Sequence, residues 1–247
     1  MTQITASLVK ELREKSGAGM MDCKSALIEN KGDIDQSIDW LRTKGITKAA
    51  KKSERVASEG LVGSFVNNNK AIIIELNAET DFVARNEEFQ SLLKGLLEIS
   101  INEENILKLP YHDTGRTVEE EINEKIATIG ENIRLRRIQN ISTKDGLIFS
   151  YTHNSVADSL GKIGVLLAIE TSLNMDNVSE LGKNICMHIA ASNPIAISSD
   201  EISEEVIEKE KQIAIDQARE AKKPENIIEK MVEGRIRKFT EENALLS

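Results

Sequence analysis

The transition across Asn77–Asn86 constrains the fold more than any other stretch of the chain. The apolar run Ala71-Ile72-Ile73-Ile74 leads in, and Glu87-Glu88-Phe89-Gln90-Ser91-Leu92-Leu93 leads out at helical spacing. A strand therefore ends and a helix begins, with Glu79, Thr80, Asp81 and Phe82 at the corner. The near-continuous apolar run through Leu76 predicts a strand covered on both faces. Thr80 or Asp81 can cap the following helix, because a side-chain oxygen there accepts from its unpaired N–H groups. That helix is expected to run through Ile99. Phe82 leaves two readings open. It packs on the sheet, as apolar residues usually do, or it is an aromatic held outward on a rigid corner for another protein. Aromatics make up only 3% of the chain, so none is easily spared.

The N-terminal residues 1–45 read as three short helices. Thr5 or Ser7 starts the first, with Leu8, Val9 and Leu12 on one face, and Ser16-Gly17-Ala18-Gly19 stops it through glycines with positive φ. The second carries Met21, Ala26, Leu27 and Ile28. The third starts at the cap Asp33, carries Ile34, Ile38, Trp40 and Leu41, and is expected to stop at Gly45. So small a bundle reads as a docking module. Met20 and Met21 are either docking residues, since Met adapts to partner surfaces, or plugs of the bundle. Trp40 reads as core or as an edge of the docking face. Residues 46–57 read as a basic linker with Lys48, Lys51, Lys52 and Arg55.

Beyond residue 58 the period changes to that of strands. Leu61–Val66 and Ala71–Leu76 form a hairpin through Asn67-Asn68-Asn69, a residue type that tolerates the left-handed region. Glu119–Ile129 is a helix ended by Gly130, and Asn132–Ile138 an alternating strand with its basic residues on one face. Strands at Gly146–His153 and Ile163–Glu170 and a helix at Asn177–Ala191 repeat the strand, turn, strand, helix order of Leu61–Ile99. The expected class is α+β: a bundle at 1–45, a linker at 46–57, related core subdomains at 58–140 and 141–199, a helical hairpin at 200–239 with its turn at Lys222-Lys223-Pro224-Glu225, and a final segment at 240–247.

Charge and motif content narrow the function. The net charge is −9 and the pI about 5.1, which disfavours broad binding to nucleic-acid phosphate or anionic membrane. Residues 200–247 hold 9 Lys and Arg against 13 Asp and Glu, an exposed acidic arm. Cys23 and Cys186 make no disulfide framework, and no apolar run reaches transmembrane length, so the cytoplasm is the expected compartment. No nucleotide-binding fingerprint occurs. His112, His153 and His188 lack metal-ligand spacing, so neither metal nor cofactor is expected. His112 reads as solvated, His153 as a contact position and His188 as a core residue. Glu79 and Asp81 are the only acids that suggest a hydrolytic pair, and nothing marks them as one.

Several stretches, in order along the chain, resemble the translation elongation factor Ts family, the nucleotide exchange factors of elongation factor Tu. They are Ile4-Thr5-Ala6-Ser7-Leu8-Val9-Lys10-Glu11-Leu12-Arg13, Gly17-Ala18-Gly19-Met20-Met21-Asp22-Cys23-Lys24, Lys48-Ala49-Ala50-Lys51-Lys52, Thr80-Asp81-Phe82-Val83-Ala84-Arg85-Asn86, Ile129-Gly130-Glu131-Asn132-Ile133, Met187-His188-Ile189-Ala190-Ala191-Ser192 and Lys230-Met231-Val232-Glu233-Gly234-Arg235. The resemblance implies an N-terminal bundle similar to ubiquitin-associated domains, docked on the partner's G domain through Met20 and Met21. It implies that Thr80, Asp81, Phe82 and Val83 enter that domain near bound magnesium and guanine nucleotide. Ile129, Gly130 and His153 belong to the same contact, and 200–239 to the family's coiled-coil arm. The partner is expected in both its GDP-bound and nucleotide-free forms, with no covalent step and no direct nucleic-acid contact. Two departures stand out: Ala78 where many relatives have Cys, and a longer loop at Thr152–Leu160 after His153. Relatives are expected to continue past residue 247 into a last strand and a C-terminal module, without which docking is expected to outlast full exchange efficiency. A helical adaptor that binds another protein through residues 1–45 is the alternative.

Overall fold

Strand β1 (Glu59–Asn67) and strand β2 (Lys70–Ala78) form an antiparallel hairpin, in register from Glu59 opposite Ala78 to Asn67 opposite Lys70. Asn68 turns it with φ of 53°, a conformation its short polar side chain accommodates. The computed structural model describes residues 4–16, 18–103 and 105–246, and at 46–48 the backbone only. Strand β3 (Arg134–Ser142) pairs with β2. A hairpin of β4 (Gly146–His153) and β6 (Ile163–Glu170) contains, in its connection, the two-residue strand β5 (Leu160–Gly161). Strand β5 pairs with β1, giving the sheet order β3-β2-β1-β5.

Alternation on β2 explains its apolar run. Ile72, Ile74 and Leu76 are fully buried in one cluster with Phe89, Leu92, Leu93 and Leu96 of helix α5 (Glu87–Ser100) and Val118, Ile122 and Ile126 of helix α6 (Val118–Ile129). Ile73 points to the opposite face. There a Cβ on Gly164 of β6 would lie 2.6 Å from its Cδ1. Three layers result: helices, the four-stranded sheet, and the β4–β6 hairpin.

Helices α1 (Ala6–Ser16), α2 (Met20–Glu29) and α3 (Ile34–Lys52) enclose Val9, Leu12, Cys23, Ala26, Leu27 and Leu41. Thr5 Oγ1 accepts from the Leu8 N–H, and Asp33 Oδ1 from the Gln36 N–H at 2.9 Å. Trp40 is half-buried against this core, with Lys44 Nζ 5.0 Å from its ring centroid. Two expectations fail here. Gly19 is an extended residue with φ of −61° at the start of α2, not a left-handed stop, and Gly17 lies outside the described residues. Helix α3 does not stop at Gly45 but runs on to Lys52, taking in most of the expected 46–57 linker. Gly45 is buried where α3 crosses α6, and a Cβ there would sit 3.6 Å from Glu124 and 3.7 Å from Ala127. The glycine marks a crossing rather than a terminus.

One turn away, Arg42 of α3 forms an ion pair with Glu120 of α6. Glu120 also closes a capping box with Thr117. The Thr117 backbone N–H, and then Arg42, hold the Glu120 carboxyl below the usual carboxylate range.

The chain forms two units, 1–183 and 184–247. Helix α7 (Met175–Ser192) runs from the first into the second. In the first, Gly182 lies against the ring of Phe149. In the second, strand β7 (Ala196–Ser198), helices α8 (Glu204–Glu220) and α9 (Glu225–Asn243) and strand β8 (Ala244–Leu246) follow, with β7 and β8 parallel. The arm is sealed by Ala214, Ala218 and Ile228, and Arg235 spans it to Glu210 at 2.9 Å. Pro224 is the residue immediately before α9, and His188 is exposed instead of core. The final segment divides between the end of α9 and β8.

Gly45→Ala is expected to stabilise the chain by about 0.5–1 kcal/mol, because Ala costs less backbone entropy in a helix and the space for its methyl exists. Urea denaturation measures this. A lower midpoint for the alanine variant would show that the α3–α6 crossing has no such room.

Candidate functional site

The corner after β2 is built from two separate helices, not one. Helix α4 (Asp81–Ala84) is a single turn preceded by extended Thr80. Its chain leaves through Arg85, and Asn86 then returns to extended geometry with φ of −71° and ψ of 133°. Asn86 Oδ1 caps α5, accepting from the Glu88 N–H at 2.7 Å and the Phe89 N–H at 3.4 Å. The expected single helix capped by Thr80 or Asp81 is therefore corrected: Thr80 makes no side-chain cap bond, and Asn86 is the cap of the long helix.

Thr80 instead binds across the fold. Glu131, just after the α6 terminus, accepts the Thr80 N–H on Oε2 at 3.0 Å and the Thr80 hydroxyl on Oε1 at 2.7 Å. One residue away the exchange is returned, as Glu79 Oε1 accepts the Asn132 N–H at 2.6 Å. Two carboxylates thus tie the corner to the α6–β3 loop from both sides. Asn132 Nδ2 donates to the carbonyls of Arg55, at 2.7 Å, and Ser53. Lys52 Nζ donates to the Gly130 carbonyl. Arg55 approaches Glu79 to 3.5 Å. The C-terminal end of α3, the α6–β3 loop and the corner form one hydrogen-bonded block. Gly130 makes this possible with φ of 93°, a left-handed helix end that costs other residues strain.

On this block Phe82 is 80% exposed, while the next two residues, Val83 and Ala84, are buried in the main core. Phe82 does not pack on the sheet; its side chain is outward. Val83 faces the core, so of the four corner residues it offers no side-chain surface to a partner. Asp81 is half-exposed and lies 3.6 Å from Arg85. Ile129 and Gly130 are partly buried beside the block. Met20 and Met21 are 60% and 71% exposed at the start of α2, so neither plugs the bundle. His153 is exposed at the end of β4, and its hydrogen bond, at 3.0 Å, and ring contact are both with Tyr151. Glu79, suggested earlier as half of an acid pair, is committed to Asn132. Among the described residues no group of three or more His, Cys, Asp or Glu side chains is placed to hold a metal ion. No helix among them is long and apolar enough to cross a membrane.

Residues 79–247 match the family described as Elongation factor TS. The chain is 52% identical, over its whole length, to an Elongation factor Ts of Allorhizobium ampelinum. It is 53% identical to one of Rhizobium rhizogenes and 51% to one of Agrobacterium fabrum. In each case the alignment covers 100% of this chain and 82% of the relative. The chain belongs to the elongation factor Ts family. Membership makes it a factor of the elongation stage of protein synthesis. The family match begins at Glu79, the first residue of the corner, and the relatives carry the likeness back through the N-terminal bundle.

Residue types alone did not reveal Glu131, Asn132 or Asn86 as parts of this site. Asn86 had a local signal, since an Asn followed by Glu87 and Glu88 starts helices well. Glu131 had none, because its partner lies 51 residues away.

Two variants separate the faces of α4. Phe82→Ala is expected to change unfolding free energy by less than about 0.5 kcal/mol, as for an exposed side chain. Val83→Ala is expected to cost about 1.5 kcal/mol for two buried carbons. Chemical denaturation of both checks it, and equal losses would contradict the outward placement of Phe82.

Proposed function

We infer that this chain promotes GDP release from elongation factor Tu by inserting the Asp81-Phe82 corner into the partner's G domain near magnesium and nucleotide. The observation that carries this reading is an aromatic side chain, 80% exposed, on a turn fixed by carboxylate hydrogen bonds from both sides. Burying an exposed Phe releases about 1.5–3 kcal/mol, and a rigid presenter loses little of that to ordering. Asp81, beside it, brings negative charge toward a magnesium site.

The action needs no bond chemistry. A factor that binds the nucleotide-free partner more tightly than the nucleotide-bound one weakens nucleotide binding by the same ratio, because the coupling is reciprocal. Met20 and Met21 supply a second, adaptable contact from the bundle. Helix α3 supports this division of labour, since it runs from the bundle core at Leu41 to Lys52 at the corner block. Ile129 and Gly130 flank the corner and extend its surface. His153 is exposed, with Nδ1 engaged with the Tyr151 hydroxyl. Thr80 belongs to the corner through its bond to Glu131.

Phe82→Ala is expected to slow GDP release from elongation factor Tu by more than about tenfold, ~1.4 kcal/mol of lost barrier lowering. Release at the wild-type rate would remove the wedge. Met20→Ala with Met21→Ala is expected to weaken the complex by about tenfold or more, with the loss of two apolar anchors. Calorimetric titration measures it. Wild-type affinity for that double variant would move the bundle off the interface, and failure to bind any translation GTPase would favour the adaptor reading.

A further inference from the structure

We propose that Glu131 is a positioning residue for exchange, acting through Thr80 to fix the direction in which Phe82 leaves the fold. The proposal rests on the reading of Phe82 as the inserted side chain. Thr80 is the residue before α4, so its backbone sets the origin of that single turn. A four-residue helix has too few internal hydrogen bonds to hold itself. Glu131 supplies what the turn lacks. Its two oxygens take the Thr80 N–H at 3.0 Å and hydroxyl at 2.7 Å, a two-point contact that fixes rotation as well as distance.

The loop that carries Glu131 is itself fixed. Gly130 is held by Lys52, and Asn132 by Glu79 and the Arg55 carbonyl. The hydroxyl hydrogen of Thr80 is already donated within the fold, so Thr80 serves the contact by orientation rather than by donating to the partner. Beyond α4, the extended Asn86 breaks the helical phase between the turn and α5, and Gln90 Nε2 ties across the break by donating to the Ala84 carbonyl at 3.3 Å. The core keeps the turn seated through Val83 and Ala84, and on its N-terminal side the contact to Glu131 sets the rotation of Thr80. Without that two-point contact the N-terminal end of the turn loses the bond that sets its rotation, so that Phe82 samples directions that miss the partner's pocket.

The test measures GDP release from elongation factor Tu at saturating full-length factor, with an unfolding midpoint recorded for every variant. Glu131→Gln keeps the shape of the side chain but leaves one acceptor oxygen for two donors. It is expected to slow release by about tenfold, the scale of one lost hydrogen bond to a charged group. Thr80→Val is expected to do the same, and Thr80→Ser, which keeps the hydroxyl, to recover most of the rate that Thr80→Val loses. Coupling decides the matter: in a Phe82→Ala background, Glu131→Gln is expected to add less than about twofold, as for residues acting as one unit. Equal slowing in both backgrounds would assign Glu131 a purely structural role and overturn the proposal. So would a wild-type rate for Glu131→Gln while Phe82→Ala is slow, which leaves the wedge standing. A wild-type rate for Phe82→Ala overturns both.

Discussion

The exchange of carboxylate hydrogen bonds between Glu79 and Asn132, and between Glu131 and Thr80, is the interaction on which the rest of the site depends. Each acid sits on one segment and accepts from the backbone of the other. Neither segment has regular structure of its own at that point, since β2 has ended at Ala78 and α6 at Ile129. Hydrogen bonds with an ionised acceptor are shorter and stronger than neutral ones. Two of them facing opposite ways resist sliding as well as separation. The core beneath supplies the remaining constraint, with Val83 and Ala84 buried among Leu61, Ile74 and Phe89.

Helix α3 joins this block to the N-terminal bundle. Its first half contributes Leu41 to the bundle core, and its last turns contribute Ala49 to the main core and Lys52 to the Gly130 carbonyl. A flexible linker at 46–57 would have left Met20 and Met21 on a tether. A continuous helix, crossing α6 at a glycine and held by Arg42 and Glu120, keeps them at a set distance from Phe82. For a partner that touched both places, the second contact would cost little further ordering.

What the sequence revealed about the fold followed from periodicity, and what it hid depended on distant contacts. The β1–β2 hairpin, its Asn68 turn, the Asp33 cap and the Gly130 helix end all have local causes, and each was readable from neighbouring residue types. Gly45 misled because a glycine at a helix crossing and one at a helix terminus look alike until the neighbouring α6 is known. His188 misled because its apolar neighbours suggested burial on a helix face that is exposed. Composition left Phe82 ambiguous, and only the resemblance of its surroundings to a known family pointed outward. The Glu131 contact was beyond reach, since nothing near residue 80 announces an acid at 131.

The break at Asn86 explains why Phe82 does not share the buried face of the helix that follows. Had one helix run from Asp81 through Ser100, residues 82, 89 and 93 would have shared a face, since seven residues return nearly to the same angle at 3.6 per turn. Phe89 and Leu93 are fully buried, so Phe82 would have been drawn to the same core face. The extended backbone at Asn86 resets the phase, and the Asn86 side chain satisfies the N–H groups of α5 that the interruption exposes. The four-residue turn then obeys its own orientation, with Val83 and Ala84 inward and Phe82 outward. An apolar residue remains in water because the two helices are out of register.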